Sequence, residues 1–386
     1  SALNLCGAGW MNEGASVRCM LSNHRPLSHD NPTPLRVLAW PAFENKTGNP
    51  YNRLLYEAVE DEGVEVAEFS LQRALRGSYD LWHLHWPDDF LSYRSPVTAA
   101  AYVGTLLLLM VLARQKGTQI VWTIHDLGPH ESHHPWLESI FWRFFPRLVD
   151  GFITLSEVGR DAALRRYPSL RRVPGAVVPH GHYRPAYPDP VARSTAREEL
   201  DLEPDAPVAV YVGRIRPYKS VEPLVHAFRS VPDEDARLLV TGNPSGPAIE
   251  RQIRRAASGE DRITLDLRFI PDDHIPVVLG AADLVVLPYE DILHSGSALL
   301  ALSFHRPVLV PNRGAMSELQ EHVGDEWVNT YEGRLTTGDL QDALSWARTA
   351  ERPDEVPLDD LGWDRLAAQT VDLYERVRSG MSGEPA

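Results

Sequence analysis

The stretch PVAVYVGRIRPYKSVEPLVHAF, residues 207–228, joins a β-rich run to an amphipathic one through a loop that carries Arg214, Arg216 and Lys219 within six positions. A run such as VAVYV, apolar on both faces, suits a strand buried inside a parallel sheet. The following VEPLVHAF has the spacing of a helix with one apolar side. Strand, loop, helix is the unit of a doubly wound α/β domain, and in such domains ligands bind beyond the carboxyl ends of the strands. A solvated turn would also tolerate three cations, so the rest of the chain has to decide what they are for.

The same rhythm recurs along the chain. LRVLAW (35–40), YDLWHLHW (79–86), TQIVWTIHD (118–126) and DGFITLSE (150–157) each precede a loop and a longer amphipathic or apolar run. A proline-rich segment, VVPHGHYRPAYPDP (177–190), then interrupts it. The rhythm restarts with PVAVYVG and continues through ARLLVTG (236–242), DRITLDLRFI (261–270), ADLVVLPY (282–289) and RPVLVP (306–311). The expected fold class is α/β, with two doubly wound, Rossmann-like parallel-sheet domains facing a cleft. The expected parts are a leader over 1–34, a first domain over 35–185, a second over 186–360, and a final helix within 361–386 that crosses back to the first.

Length and composition set the outer bounds. A chain of 386 residues with 43% hydrophobic and 24% charged residues suits two ordinary soluble domains. The net charge of −15 argues against a nucleic-acid partner, which needs a basic surface. Both cysteines, Cys6 and Cys19, fall in the leader, so a reducing, cytoplasmic location is expected, and no signal peptide. The apolar run AAAYVGTLLLLMVLA (99–113) is short for a bilayer span and reads as a buried helix. Residues 140–185 hold eight arginines and only three acids. Within HPWLESIFWRFFPRLVDGF (134–152), aromatics alternate with Arg143 and Arg147, which gives either domain core or a helix resting on an anionic membrane face.

Chemistry is sought in the loops after strands. Arg214 and Lys219 suit a diphosphate: arginine grips two oxygens and lysine adds a point charge. In PYEDILHSGSALLAL (288–302), Ser295, Gly296 and Ser297 open a helix whose free N–H groups favour an anion. TQIVWTIHD delivers His125 and Asp126, followed by His130, Glu131, His133 and His134, which lack the spacing of a zinc site. His83 and His85 share one face of their strand, with Trp86 at its end.

Together these segments resemble the GT-B glycosyltransferases that use nucleotide-sugar donors, and most closely the glycogen-synthase-like branch, glycosyl transferases group 1. The resemblance spans roughly 35–377. It rests on VWTIHD (121–126), FITLSE (152–157), VVPHG (177–181), YVGRIRPYK (211–219), LLVTG (238–242), ADLVVLPY, RPVLVP and GAMSEL (314–319), in that order. It implies transfer of a hexose, with mannose as the candidate sugar, from a GDP- or UDP-sugar to a glycan or lipid-linked saccharide. Neither a cofactor nor a metal ion is expected, and DED (233–235) is discounted as a metal motif because it precedes a strand.

By the same resemblance Arg214 and Lys219 neutralise the donor diphosphate and His125 contacts the transferred sugar; if the enzyme inverts, Asp126, Glu131 and His85 are the candidate general bases, Asp126 and Glu131 first, and the catalytic set is His125, Asp126, Glu131, Arg214 and Lys219. The donor-binding set is Gly48, Asn49, Gly213, Arg214, Lys219, Gly242, Asn243, Glu290, His294, Ser295, Gly296 and Ser297, with His85 and Trp86 on the acceptor side. One departure stands out. Ile292 and Leu300 occupy the places of the branch's paired glutamates, and HSGSALLALSFHRPV resembles a subset that includes β-mannosyltransferases. A nucleotide-sugar epimerase and a catalytically degenerate sugar-nucleotide-binding protein are the rival readings, the first distinguished by donor turnover without acceptor.

Overall fold

The computed structural model describes residues 34–44, 49–129 and 133–380. The expectations placed on the leader, on Gly48 and on Glu131 lie outside these residues. Six strands, β1 (Arg36–Trp40), β2 (Glu65–Glu68), β3 (Leu81–His85), β4 (Gln119–Ile124), β5 (Gly151–Thr154) and β6 (Gly175–Val177), form a parallel sheet in the order β2-β1-β3-β4-β5-β6. A second parallel sheet, ordered β12-β11-β10-β7-β8-β9, contains β7 (Val208–Val212), β8 (Arg237–Thr241), β9 (Ile263–Asp266), β10 (Leu284–Val286), β11 (Val308–Pro311) and β12 (Val328–Tyr331). The doubly wound expectation holds for both.

The opening stretch shows why. All five residues of β7 are buried, because helices cover both faces of a central parallel strand. The edge strands β2 and β9 read EVAE and ITLD and stay partly exposed, as edges that must not recruit another strand do. Helix Val221–Arg229 buries Val221, Leu224, Val225 and Phe228 on one side. Residues 233–235 precede β8 and so lie at the amino edge of the sheet, away from the cleft.

Helix Trp363–Arg378 packs against helix Tyr51–Asp61 and strands β4, β5 and β6 of the first sheet. Gln119 Nε2 donates to the Val377 carbonyl at 2.7 Å, and Trp363 Nε1 donates to the His182 carbonyl at 2.8 Å. A side chain at Gly151 would lie 2.4 Å from Val377 Cγ2, so that glycine admits the helix.

One reading needs correction. Helix Pro96–Gln115, expected to be buried, is long and apolar enough to cross a membrane, yet only one side of it is covered. Ala99, Val103, Leu106, Leu109, Met110 and Ala113 face the core, while Val97 and Leu108 are 78% and 58% exposed. The neighbouring helix Pro135–Leu148 divides the same way. Phe141, Trp142 and Phe145 are core, and Trp136, Ile140 and Phe144, four residues apart, are exposed. The core alternative for that helix holds for its inner face, and its outer face leaves apolar side chains exposed.

Candidate active site

A cavity of about 220 Å³ lies between the carboxyl edges of the two sheets. On the side of the second sheet its wall holds Tyr218, Lys219, Tyr289, Asp291, His294 and the Ser295–Ser297 turn; on the other side it holds Asn49, Tyr51, Trp86, His125, Asp126 and His180. Each arrives at the end of a strand or the start of a helix, as the fold requires.

The cationic pole is built around Gly213. This residue has φ +130°, and a β-carbon there would lie 3.2 Å from Ser297 Oγ and 3.9 Å from Lys219 Nζ. The ammonium and the hydroxyl therefore converge over bare backbone. Lys219 Nζ also stands 5.0 Å from the centre of the Tyr289 ring, an aromatic face that holds a cation in place. The Tyr289 hydroxyl is buried and has no hydrogen-bond partner among the described residues. Ser295 Oγ caps helix Gly296–Ser303 by accepting from Ala298 N at 3.1 Å. The first N–H groups of that helix are left facing the cavity, where partial positive charge and unmet donors suit an anion. Gly296 permits close approach: a β-carbon would meet Tyr183 Oη at 3.0 Å.

The opposite pole is aromatic, with Asp126 as its carboxylate. The Trp86 ring stacks on His125 at 4.2 Å, and Tyr51 stands edge-on to His125 at 5.2 Å and tilted against His180 at 4.7 Å. Behind His125 runs a buried chain of hydrogen bonds. His125 Nε2 lies 2.8 Å from His85 Nδ1, and His85 Nε2 lies 2.8 Å from the Tyr56 hydroxyl. That hydroxyl and the Tyr374 hydroxyl reach His83 Nδ1 at 2.8 and 2.6 Å, and His83 Nε2 meets Thr123 Oγ1 at 2.7 Å. Burial strips these imidazoles of water and disfavours their cations. It lowers His83 to about 3 and His180 to about 4, and it drives His85 and His125 well below the usual value, with neighbouring histidines adding repulsion. The pole thus offers neutral donors and acceptors, which suit sugar hydroxyls.

Contacts across the cleft hold the two walls together. His294 Nε2 lies 2.9 Å from Ser156 Oγ, and His294 Nδ1 lies 3.3 Å from the His125 carbonyl. If Nδ1–H donates to that carbonyl, Nε2 accepts the serine proton, which is the neutral tautomer that burial favours. Glu318 accepts from Glu157 N at 3.0 Å and Val158 N at 2.6 Å, where helix Glu157–Arg166 begins.

Of the expected residues, Asn49, Trp86, His125, Asp126, Lys219, His294, Ser295, Gly296 and Ser297 line this one cavity. Others do not. His85, expected on the acceptor side, is 1% exposed and sits behind His125, where it holds that ring. Gly242 and Asn243 serve the loop instead: a β-carbon on Gly242 would lie 1.8 Å from the Gly213 carbonyl oxygen, and the Asn243 carbonyl accepts from Ile215 N. The Glu290 side chain points outward, 3.8 Å from Arg334. Arg214 is exposed at the rim, where its charge and that of Arg216 act on Asp89 of the first lobe. Sequence reasoning missed Tyr51, His180, Tyr183, Tyr218 and Tyr289. Three of these stood in quoted motifs, VVPHG, RPYK and VVLPY, but they were read for fold and charge and not for ring surface.

Known proteins share this family's sequence and this fold. Residues 206–346 match the family model described as glycosyl transferases group 1. A GDP-mannose:glycolipid 4-beta-D-mannosyltransferase of Xanthomonas campestris pv. campestris is 32% identical over 322 residues, covering 83% of this chain and 86% of the relative. Among solved structures, sucrose-phosphate synthase from Thermosynechococcus elongatus superimposes with a TM-score of 0.64 at 20% identity, over 89% of this chain and 99% of that one. Anabaena HepE in complex with UDP-glucose does so with 0.58 at 17% identity, over 89% and 98%. With two parallel sheets, a cation and a helix amino end on one wall of the cleft, and a relative that shares most of its length, this chain belongs to the group 1 glycosyl transferases and is a GT-B-fold hexosyltransferase.

Proposed function

We propose that the chain transfers mannose from GDP-mannose to a lipid-linked saccharide, without a metal ion. The lobe of the second sheet holds the donor and the lobe of the first holds the acceptor. The observation that carries this reading is the polarity of the cavity: Lys219, Ser297 and a helix amino end on one wall, neutral histidines and aromatic rings on the other. The mannosyltransferase relative of Xanthomonas supports the choice of sugar and acceptor.

Lys219 and the N–H groups before Ala298 take the diphosphate, with Arg214 closing from the rim. Charge developing on the leaving oxygen then meets a fixed cation in place of mobile water. His125, held by His85 and stacked on Trp86, contacts the transferred sugar. Asp126 lines the same cavity one residue on, and it is the carboxylate proposed as general base if the anomeric configuration inverts.

The acceptor's lipid brings the enzyme to a membrane. The proposed contact is the outer face of helices Pro96–Gln115 and Pro135–Leu148, where Val97, Leu108, Trp136, Ile140 and Phe144 are exposed beside Arg143 and Arg147. Apolar side chains edged by cations suit an anionic interface, and the covered inner face keeps the helix lying on the surface. The test is incubation of labelled GDP-mannose with lipid-linked saccharide in chelator. Label in the lipid phase is expected. Sugar that epimerises or is released without acceptor would favour the rival activities. Sedimentation with anionic but not neutral vesicles, reduced by Leu108→Asp, tests the membrane contact.

A further inference from the structure

The cleft uses only the carboxyl edge of the second sheet. At the amino edge, where β10, β11 and β12 begin, a cavity of about 370 Å³ opens beside the starts of those strands and the end of helix Thr337–Thr349. Its charged lining is four arginines, Arg193, Arg306, Arg348 and Arg352, against one carboxylate, Asp283. That carboxylate is already occupied. Arg193 Nε and Arg197 Nη2 donate to it at 3.2 and 2.7 Å, and Val208 N at 2.8 Å.

What remains is donors. Arg306 Nε is buried and makes no hydrogen bond, and no carboxylate of the described residues pairs with its guanidinium. Trp327 is 2% exposed, and its Nε1, an obligate donor, is likewise buried without a partner. His305 Nδ1 accepts from Val356 N at 3.2 Å, so the neutral ring presents Nε2–H. Arg352 spends its hydrogen bonds on backbone carbonyls, among them Glu326 and Ala347, and lies 4.6 Å from the Trp346 ring centre, which fixes its charge without neutralising it. Burial weakens the hold of Arg306 on its proton; the Asp283 carboxylate acts against this, and the neighbouring Arg193 and Arg197 add to it. Elsewhere the chain pairs its arginines freely, as in Arg262 with Glu260 and Arg254 with Glu250. Buried donors lacking acceptors are rare in folded proteins and call for a partner.

We propose that this cavity is a second ligand site, which binds a phosphate-bearing anion. A phosphate offers the several acceptor oxygens and the double charge that Arg306, Trp327, His305 and Arg348 lack, and guanidinium forks match it geometrically. The volume admits a phosphomonoester of sugar size. The site is independent of the donor cleft. The four residues of β11 separate the two edges by ~13 Å, and helix Gly296–Ser303 faces the cleft with its first turn while Phe304, His305 and Arg306 follow its last.

The test is calorimetric titration of the whole chain with inorganic phosphate, with a hexose 1-phosphate and with acetate, at low ionic strength. Saturable phosphate binding is expected, and it persists in Lys219→Ala, which removes the cation of the cleft. It weakens about tenfold or more in Arg306→Met, the loss of one charge-assisted contact, and weakens also in Trp327→Phe. Arg348→Ala alters an exposed side chain, so its loss of binding is not a folding effect. Tighter binding of the hexose phosphate assigns the site to an organic phosphate, and equal binding assigns it to phosphate alone. The proposal is overturned if no saturable binding occurs, if acetate binds as well as phosphate, or if binding vanishes in Lys219→Ala and survives in Arg306→Met.

Discussion

Replacing Lys219 by alanine removes the one lysine in the cavity wall while leaving its hydrogen-bonded frame intact. The backbone of Lys219 is fixed by its N–H to the Arg216 carbonyl at 3.0 Å, and the side chain lies on the Tyr289 face and over Gly213. The fold should therefore survive. A charge-assisted hydrogen bond contributes about 1.5–3 kcal/mol. A unit-charge pair near 4 Å in a partly solvated cleft gives about 4 kcal/mol before the loss of hydration. Taking 2–3 kcal/mol as the net effect, affinity for a nucleoside diphosphate should fall about 30- to 150-fold. Calorimetric titration with GDP measures it directly. Lys219→Arg should recover part of the loss, and raising salt should weaken the wild type more than the alanine variant. A change of less than about threefold in Lys219→Ala, where 1.4 kcal/mol is tenfold, would refute the reasoning, because it would mean that the diphosphate lies elsewhere.

Other outcomes follow from the same geometry. Gly242→Ala places a β-carbon 1.8 Å from the Gly213 carbonyl oxygen at φ +145°; it should lower stability by at least ~2 kcal/mol, read as a drop in urea midpoint. Arg197 is 1% exposed and binds Asp283 together with the carbonyls of Ala281, Pro204 and Ala206. Arg197→Met leaves that carboxylate to Arg193 and Val208 N and strips the three carbonyls of their donor, and it should destabilise by about 3 kcal/mol, measured by the same denaturation. Acid should unfold the protein through its buried histidines. His83 holds a folded value near 3, against an ordinary 6.5, so the unfolded chain binds the extra proton between those pH values. Stability from this group is full above 6.5 and declines as pH falls, by about 1.4 kcal/mol per unit. The urea midpoint should drop between pH 6.5 and 4, and less steeply in His83→Gln. No such drop would contradict the buried neutral assignment.

Much of this architecture could be read before any coordinates. Strands such as VAVYV and RPVLVP announce themselves because a parallel strand covered on both faces must be apolar throughout, and Ser295 and Gly296 mark a helix start because capping and close approach need those residue types. What failed to show was which neighbour each side chain meets. His85 reads like a ligand contact from its strand end, yet whether it or His125 reaches the cavity depends on how β3 and β4 align, with His85 opposite Thr123. Gly242 reads like a phosphate glycine, and its real constraint, the carbonyl of Gly213, comes from a loop about 30 residues away in sequence. Helix Pro96–Gln115 looks buried because it is apolar all round; composition cannot tell a helix in a core from one laid over it with a bare face.

Transfer itself is the most direct test of the proposed activity. With chelator present, labelled GDP-mannose and a lipid-linked saccharide should yield labelled glycolipid with the wild type, and almost none with Lys219→Ala or Asp126→Asn. Wild-type protein that binds the donor but leaves every acceptor unlabelled would contradict it.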